Sequence, residues 1–159
     1  MKNALLESER IIYVKPCEDL IEDYKKMYND KSIQSLLFKK IYDEQQILKW
    51  INSFFSDDSL ISLIEKETNK FIGNAALIKK ENNIGEITIS ITPTMQGKHY
   101  ATEAIQNLIK FAYENLGFES IDLYVYKNNI KAIHLYEKIN FVADNNDISD
   151  DSIHMVHSR

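Results

Sequence analysis

A single cysteine, Cys17, stands in 159 residues. That excludes an internal disulfide and a multi-cysteine zinc site. Nothing around Cys17 in the sequence marks an activated thiol, so it reads as a packing residue rather than a nucleophile. Prolines number two and glycines four. The glycine share is about a third of the usual one, so each glycine is expected where the backbone needs it. Long apolar runs are missing. No stretch approaches the roughly 20 residues that span a bilayer, and residues 1–10 alternate charged and apolar side chains instead of carrying a signal-peptide core. A cytoplasmic protein without membrane association is the expectation. An excess of positive charge is missing too: 19 basic residues face 24 acidic ones, for a net charge of −5. The basic residues are scattered singly or in pairs, which argues against nucleic acid as a partner. A cationic partner suits such a surface better. No Walker-type phosphate loop, dinucleotide fingerprint or serine-hydrolase elbow occurs. His154 and His157 lie three apart in a strand-like segment, point to opposite faces and make a poor metal pair, so no metal is expected.

What is present is a compact alternation of strands and helices without linkers or repeats. At 44% hydrophobic residues the chain is long enough to bury one sizeable core and short for two domains. Residues 10–14 read as a first strand, stopped by Pro16. Helical spacing follows at Leu20, Tyr24, Met27 and Tyr28, and again at Ile47, Trp50, Ile51, Phe54 and Phe55. Residues 60–65 and 71–78 read as a hairpin, followed by a third strand over 85–91. An amphipathic helix carries Ala101, Ala104, Ile105, Leu108, Ile109, Ala112 and Leu116, and Gly117 suits a left-handed cap. A strand over 121–126, a helix that starts near Asn129 and a strand-like segment around His154 and His157 complete the series, with the acidic residues 144–151 read as a solvated loop. An antiparallel meander followed by a strand-helix-strand crossover predicts a mixed sheet with helices on both faces.

Residues 85–141 carry the chemistry. In the strand 85–91, Ile87, Ile89 and Ile91 share one face while Glu86, Thr88 and Ser90 share the other. Either that polar face is solvated, or it lines a cleft and Glu86 is a proton acceptor. The strand passes through Pro93 into Gln96, Gly97, Lys98, His99, Tyr100 and Ala101 at the start of the amphipathic helix. Amides there have no helical partner and sit at the positive end of the dipole, so a diphosphate can be held without basic side chains. Asn129 is placed to cap the next helix. Tyr136 borders that helix's apolar stripe, either as packing or as a neutral phenol that can donate a proton. Asn140 stands where a left-handed cap is wanted.

Together these residues resemble the acetyl-CoA-binding half of the GNAT superfamily of N-acetyltransferases. The resemblance covers roughly residues 10–157 and is strongest over 86–141. The family's Gln/Arg-x-x-Gly-x-Gly/Ala loop is matched by Gln96 through Ala101, with His99 in place of a glycine. The run Ala101-Thr102-Glu103-Ala104 and the run Leu135-Tyr136-Glu137-Lys138 are similar to the subgroup of ribosomal-protein N-terminal and spermidine N-acetyltransferases. The resemblance implies one domain over residues 1–159, α/β in class. It would have a mostly antiparallel mixed sheet of six to seven strands, about four helices and a parallel cofactor-binding core at about 85–141. It implies acetyl-CoA as cosubstrate, with Gln96, Gly97, Lys98, His99, Tyr100, Ala101 and Thr102 around the diphosphate. It further implies Ser90 and Ile91 beside the thioester, Asn129 as a cofactor contact, Tyr136 as general acid and Glu86 as a common position for the base. The acceptor would be a primary amine on a small cationic molecule such as a polyamine, or on a protein N-terminus, selected by the region 28–55. A homodimer is compatible with this reading. The alternative is a CoA-binding or regulatory module of the same fold with weak turnover. A backbone N–H survives any substitution except proline, and histidine tolerates positive φ better than a branched residue, so the anion site is expected to persist despite His99.

Overall fold

The computed structural model describes residues 4–37 and 43–159. In chain order the elements are β1 (Ala4–Glu7), β2 (Ile11–Val14), α1 (Ile21–Asn29), α2 (Lys31–Gln34), α3 (Glu44–Ser53), β3 (Leu60–Glu65), β4 (Phe71–Lys79), β5 (Ile84–Ile91), α4 (Tyr100–Asn115), β6 (Ser120–Tyr126), α5 (Ile130–Lys138), β7 (Val142–Ile148) and β8 (Ser152–Ser158). The strands form one sheet in the order β1-β2-β3-β4-β5-β6-β8-β7. Pairing is antiparallel for β1–β2, β2–β3, β6–β8 and β7–β8 and parallel for β5–β6. The mixed α/β class is as expected, but the sheet has eight strands among the described residues rather than six or seven, and there are five helices rather than four. The additions are short or disguised. β1 precedes the segment expected to be the first strand, and α2 is a single turn capped by Asp30, whose carboxylate accepts from the Ser32 and Ile33 amides. β7 corrects the reading of residues 144–151 as loop: Val142 and Ala143 pair with Val156 and Met155, and after a register shift Ile148 pairs with Ile153. As a terminal strand it carries its aspartates on an open edge, where charge discourages pairing with another chain.

The fold gathers into two compact units, Met1–Ala75 with Ile89–Ala104, and Ala76–Thr88 with Ile105–Arg159. In the first unit, α1 buries Tyr24, Met27 and Tyr28 at helical spacing and α3 buries Ile47 and Ile51. α3 starts at a capping box in which the Asp43 carboxylate accepts from the Gln46 amide at 2.8 Å and the Gln46 side chain accepts from the Asp43 amide at 3.1 Å. Between them lies an aromatic cluster. Tyr24 meets Phe54 and Phe71 edge-on at 5.3 and 4.9 Å, and Tyr28 meets Trp50 at 4.4 Å. The buried hydroxyls are satisfied, Tyr24 with Ser62 at 2.7 Å and Tyr28 donating to Asn74 at 2.9 Å. Cys17 packs against this core as a partly buried thiol. Part of the region expected to select the acceptor, residues 38–42, lies outside the described residues.

In the second unit α4 presents Ile105, Leu108, Ile109 and Ala112 inward, all buried. The helix ends at Asn115, and the Phe118 amide reaches back six residues to the Ala112 carbonyl at 3.2 Å. That bond requires the left-handed Gly117, φ +69°. Leu116 falls past the helix end and is exposed, unlike the rest of the predicted stripe. On β6, Ile121, Leu123 and Val125 are buried on one face, while Asp122 and Tyr124 occupy the other. α5 is capped as the sequence suggested: the Asn129 side chain accepts from the Ala132 amide at 3.3 Å, and Asn140 takes φ +71° beyond the end.

Candidate functional site

The turn after β5 belongs to the first unit. It leaves the strand through a short 3-10 turn, Pro93–Met95, and the Gln96 side-chain amide donates to the Ile91 carbonyl at 2.9 Å, folding the chain back on itself. Gly97 and His99 both adopt left-handed backbone, φ +74° and +64°. Each such residue turns its amide out of the path of regular structure. The first internal bond of α4 runs from the Glu103 amide to the His99 carbonyl at 3.2 Å. The six amides from Gly97 to Thr102 have no acceptor among the described residues. Gln96, Gly97, Lys98 and His99 are exposed, and no atom comes within 4 Å of where a Gly97 Cβ would be. A run of free amides at the positive end of a 16-residue helix is a cradle for a polyanion. His99 keeps its backbone N–H within that run, and its positive φ costs about 1 kcal/mol for a residue that carries a side chain.

Just upstream lies a glycine that sequence reasoning passed over. Gly73 on β4 has φ +153°, and a Cβ there would sit 2.0 Å from the Ser90 carbonyl oxygen. β4 therefore approaches Ser90 and Ile91 more closely than any side chain allows. An interior strand glycine was the available signal.

The second unit holds the polar face of β5 and β6. Parallel pairing sets Glu86 beside Asp122, and the antiparallel register sets Tyr124 beside His154. One connected network results. Lys80 Nζ bridges Glu86 Oε2 at 2.7 Å and Asp122 Oδ2 at 3.1 Å, and lies over the Tyr124 ring at 5.3 Å. Its burial alone would lower its pKa, but the hydrogen bonds that it donates to Glu86 and Asp122 outweigh that and hold the ammonium above its ordinary value. His154 Nε2 meets the buried Asp122 at 2.9 Å, and its Nδ1 lies 3.3 Å from Asp144 and 3.5 Å from Asp147. Glu86 is partly exposed, and its Oε1 has no partner among the described residues. The expected cleft face of β5 thus carries a carboxylate tethered at one oxygen and open at the other. Lys80, Asp122 and His154 gave no signal in the sequence, because their proximity arises from strand order rather than spacing.

Tyr136 is half-buried on α5, its ring edge-on to Phe141 at 5.8 Å. Its hydroxyl has no hydrogen-bond partner among the described residues, and burial pushes its pKa up to about 12. It therefore holds its proton across the neutral range and has a donor to offer. His157, three residues from His154, faces elsewhere, bonded through Nδ1 to the Tyr113 hydroxyl at 2.8 Å. Among the described residues no cluster of three or more His, Cys, Asp or Glu is arranged to hold a metal, and no helix is long and apolar enough to cross a membrane.

The sequence profile of the acetyltransferase (GNAT) domain matches residues 10–142. A spermidine N(1)-acetyltransferase of Vibrio cholerae is 28% identical over 120 residues, covering 73% of this chain and 69% of that protein. An acetyltransferase of the same family from Bacillus anthracis superposes with a TM-score of 0.85 at 17% identity, covering 96% of this chain and 97% of the other. The Vibrio cholerae spermidine N-acetyltransferase solved with CoA and spermine superposes with a TM-score of 0.78 at 21% identity, covering 95% and 96% of the two chains.

Proposed function

The chain belongs to the GNAT acetyltransferase family, and on that premise we propose that it transfers the acetyl group of acetyl-CoA to a primary amine within a ternary complex. The observation that carries the cosubstrate assignment is the run of six unpartnered amides from Gly97 to Thr102. Acetyl-CoA supplies the thioester, and Gln96, Gly97, Lys98, His99, Tyr100, Ala101 and Thr102 surround its diphosphate. Asn129 keeps its side-chain NH₂ for the cofactor, since its oxygen is spent on the helix cap. A backbone N–H near Ser90 or Ile91 stabilises the negative charge that develops on the acetyl oxygen.

Glu86 takes the proton of the incoming ammonium, directly or through water, at its open Oε1. An amine with a pKa near 10.4 arrives protonated and cannot attack until that proton leaves. Neutralising Glu86 does not strand Lys80, which keeps its contact to Asp122. The amine nitrogen then bonds the acetyl carbon as the carbon–sulfur bond breaks, and the second proton that the nitrogen must lose leaves through water and restores the one that Tyr136 gives to sulfur. Tyr136 donates its hydrogen to the departing sulfur. With a pKa of about 12, far above a thiol's usual 8.5, it serves as a hydrogen-bond donor while charge builds on sulfur more than as a source of complete early transfer. No thiol is placed for an acyl-enzyme, since Cys17 packs against the first unit's core.

The acceptor we propose is a cationic amine, a polyamine or a protein N-terminus. The spermidine-acetylating relative and the carboxylates Glu86, Asp122, Asp144 and Asp147 support it. A cavity of about 540 Å³ in the first unit, lined by Asp23, Asp30, Lys26 and Lys70 among others, is balanced in charge and does not discriminate. The second reading, a CoA-binding module with weak turnover, is favoured by one observation, the left-handed His99 inside the cradle. Thermal shift with acetyl-CoA, followed by thiol release over an amine panel, tests both. The expected result is a raised Tm and release that depends on polyamine. No shift at millimolar acetyl-CoA overturns both readings, and a shift without release from any amine leaves the binding module.

A further inference from the structure

Arg10 lies between β1 and β2, almost ninety residues before the turn that follows β5, yet its side chain closes on that turn. Its Nη1 donates to the Lys98 carbonyl at 3.0 Å and its Nε to Glu103 Oε2 at 2.7 Å. Its guanidinium covers the Tyr100 ring at 4.4 Å. The three contacted residues flank or contain the run of free amides. Arg10 is itself fixed: its amide donates to Glu103 Oε1 at 2.7 Å, and its carbonyl accepts from the Lys66 amide at 2.9 Å. Ser8 adds a hydroxyl bond to Glu103 Oε1 at 2.7 Å, and the Tyr100 hydroxyl is held by Glu65.

We infer that Arg10 is a positioning residue for the anion-binding turn, holding the Lys98 carbonyl so that the flanking amides point outward toward a diphosphate. The inference rests on the reading of that turn as the diphosphate site. Two left-handed residues two positions apart lie in a loop whose backbone bonds stop where the Gln96 amide donates to the Pro93 carbonyl at 3.4 Å and resume where the Glu103 amide donates to the His99 carbonyl, with only the Gln96 side chain on Ile91 and Lys98 Nζ on Met95 Sδ added from within the turn. Left alone, such a loop turns its carbonyls as readily as its amides toward the ligand. Anchoring the Lys98 carbonyl settles which, because consecutive peptide groups are linked through planar bonds. Only a planar, forked cation spans a carbonyl and a carboxylate with defined geometry while stacking on a ring. A lysine places a single point charge and cannot do all three. The carboxylate end is equally anchored. Burial alone would raise the Glu103 pKa, but the bonds from the Arg10 amide, Ser8 and the guanidinium outweigh it and keep the group ionised.

The test compares Arg10→Gln and Arg10→Lys with wild type, using acetyl-CoA and S-acetylpantetheine, a donor without the diphosphate. Wild type should prefer acetyl-CoA. Both variants should raise KM for acetyl-CoA about tenfold, leave kcat within about twofold, and shrink the ratio of kcat/KM between the two donors by a similar factor. If Arg10→Gln does not fold, Arg10→Lys carries the test alone. A lysine variant with wild-type KM would show Arg10 to be a plain cation and overturn the inference, as would an unchanged donor ratio in either variant. A wild type that does not distinguish the two donors overturns instead the diphosphate reading beneath it.

Discussion

The turn from Gln96 to Thr102 and the network from Lys80 to His154 are built on opposite principles. The first presents main chain: its amides from Gly97 to Thr102 have no acceptor among the described residues, the side chains of Gln96, Lys98 and His99 are exposed, and its geometry depends on two left-handed residues and an outside clamp. The second works with side chains alone. Lys80, Glu86, Asp122 and His154 lie on three strands and a turn and touch within 2.7–3.1 Å. A main-chain site tolerates replacement of its residues provided the backbone keeps its path, which is how His99 stands where the family carries glycine. A side-chain network has no such tolerance. Removing Asp122 takes from Lys80 and His154 the buried carboxylate that both contact, and that is costly.

Three substitutions sharpen this contrast. The largest effect is expected at Tyr136, which belongs to the side-chain class. Tyr136→Phe removes one hydroxyl with no hydrogen bond to lose among the described residues, so stability should hardly change while turnover falls roughly 10²-fold or more. Calorimetry should give unchanged CoA affinity. Full turnover in this variant would return Tyr136 to packing.

A smaller effect is expected at Glu86. Glu86→Gln keeps the shape and removes the proton acceptor, so the rate at neutral pH should fall about tenfold. The deficit should shrink as pH rises toward the amine's own pKa near 10, where free amine no longer needs a base. A pH–rate profile on a polyamine reads this directly. A variant that matches wild type across the range means that water or another carboxylate accepts the proton.

The smallest effect is expected in the main-chain site. His99→Gly relieves a positive φ worth about 1 kcal/mol but adds freedom to the unfolded chain, so Tm should move little. CoA should bind at least as tightly, by titration calorimetry. Markedly weaker binding would place the imidazole on the cofactor and erase the distinction drawn between the two regions.

Features that depend on neighbouring residues were legible in the sequence. Helix faces such as Tyr24, Met27 and Tyr28 follow from spacing, and the left-handed roles of Gly117 and Asn140 from residue type. The turn proposed to hold the diphosphate was legible as a turn because its geometry resides in consecutive residues. Glu86 and Tyr136 were legible as candidates only, since each had an equally good structural reading. Gly73 was missed because its constraint comes from Ser90, seventeen positions away. β7 was missed because local charge density favours a loop, whereas its pairing with β8 supplies backbone bonds that composition does not reveal.

The sequence by itself determined the class of fold, the order of most elements and the place of the helix-start turn proposed to hold an anion, because periodicity, caps and helix-end amides are properties of neighbouring residues. Only the tertiary structure decided that Arg10 clamps the Lys98 carbonyl and that Lys80 joins Glu86 to Asp122. It also decided that the pKa of the Tyr136 hydroxyl is raised by burial, with no hydrogen bond among the described residues to offset it. These depend on which strands and helices are adjacent, and adjacency is fixed by the burial of apolar faces over the whole chain, far beyond the reach of any local pattern.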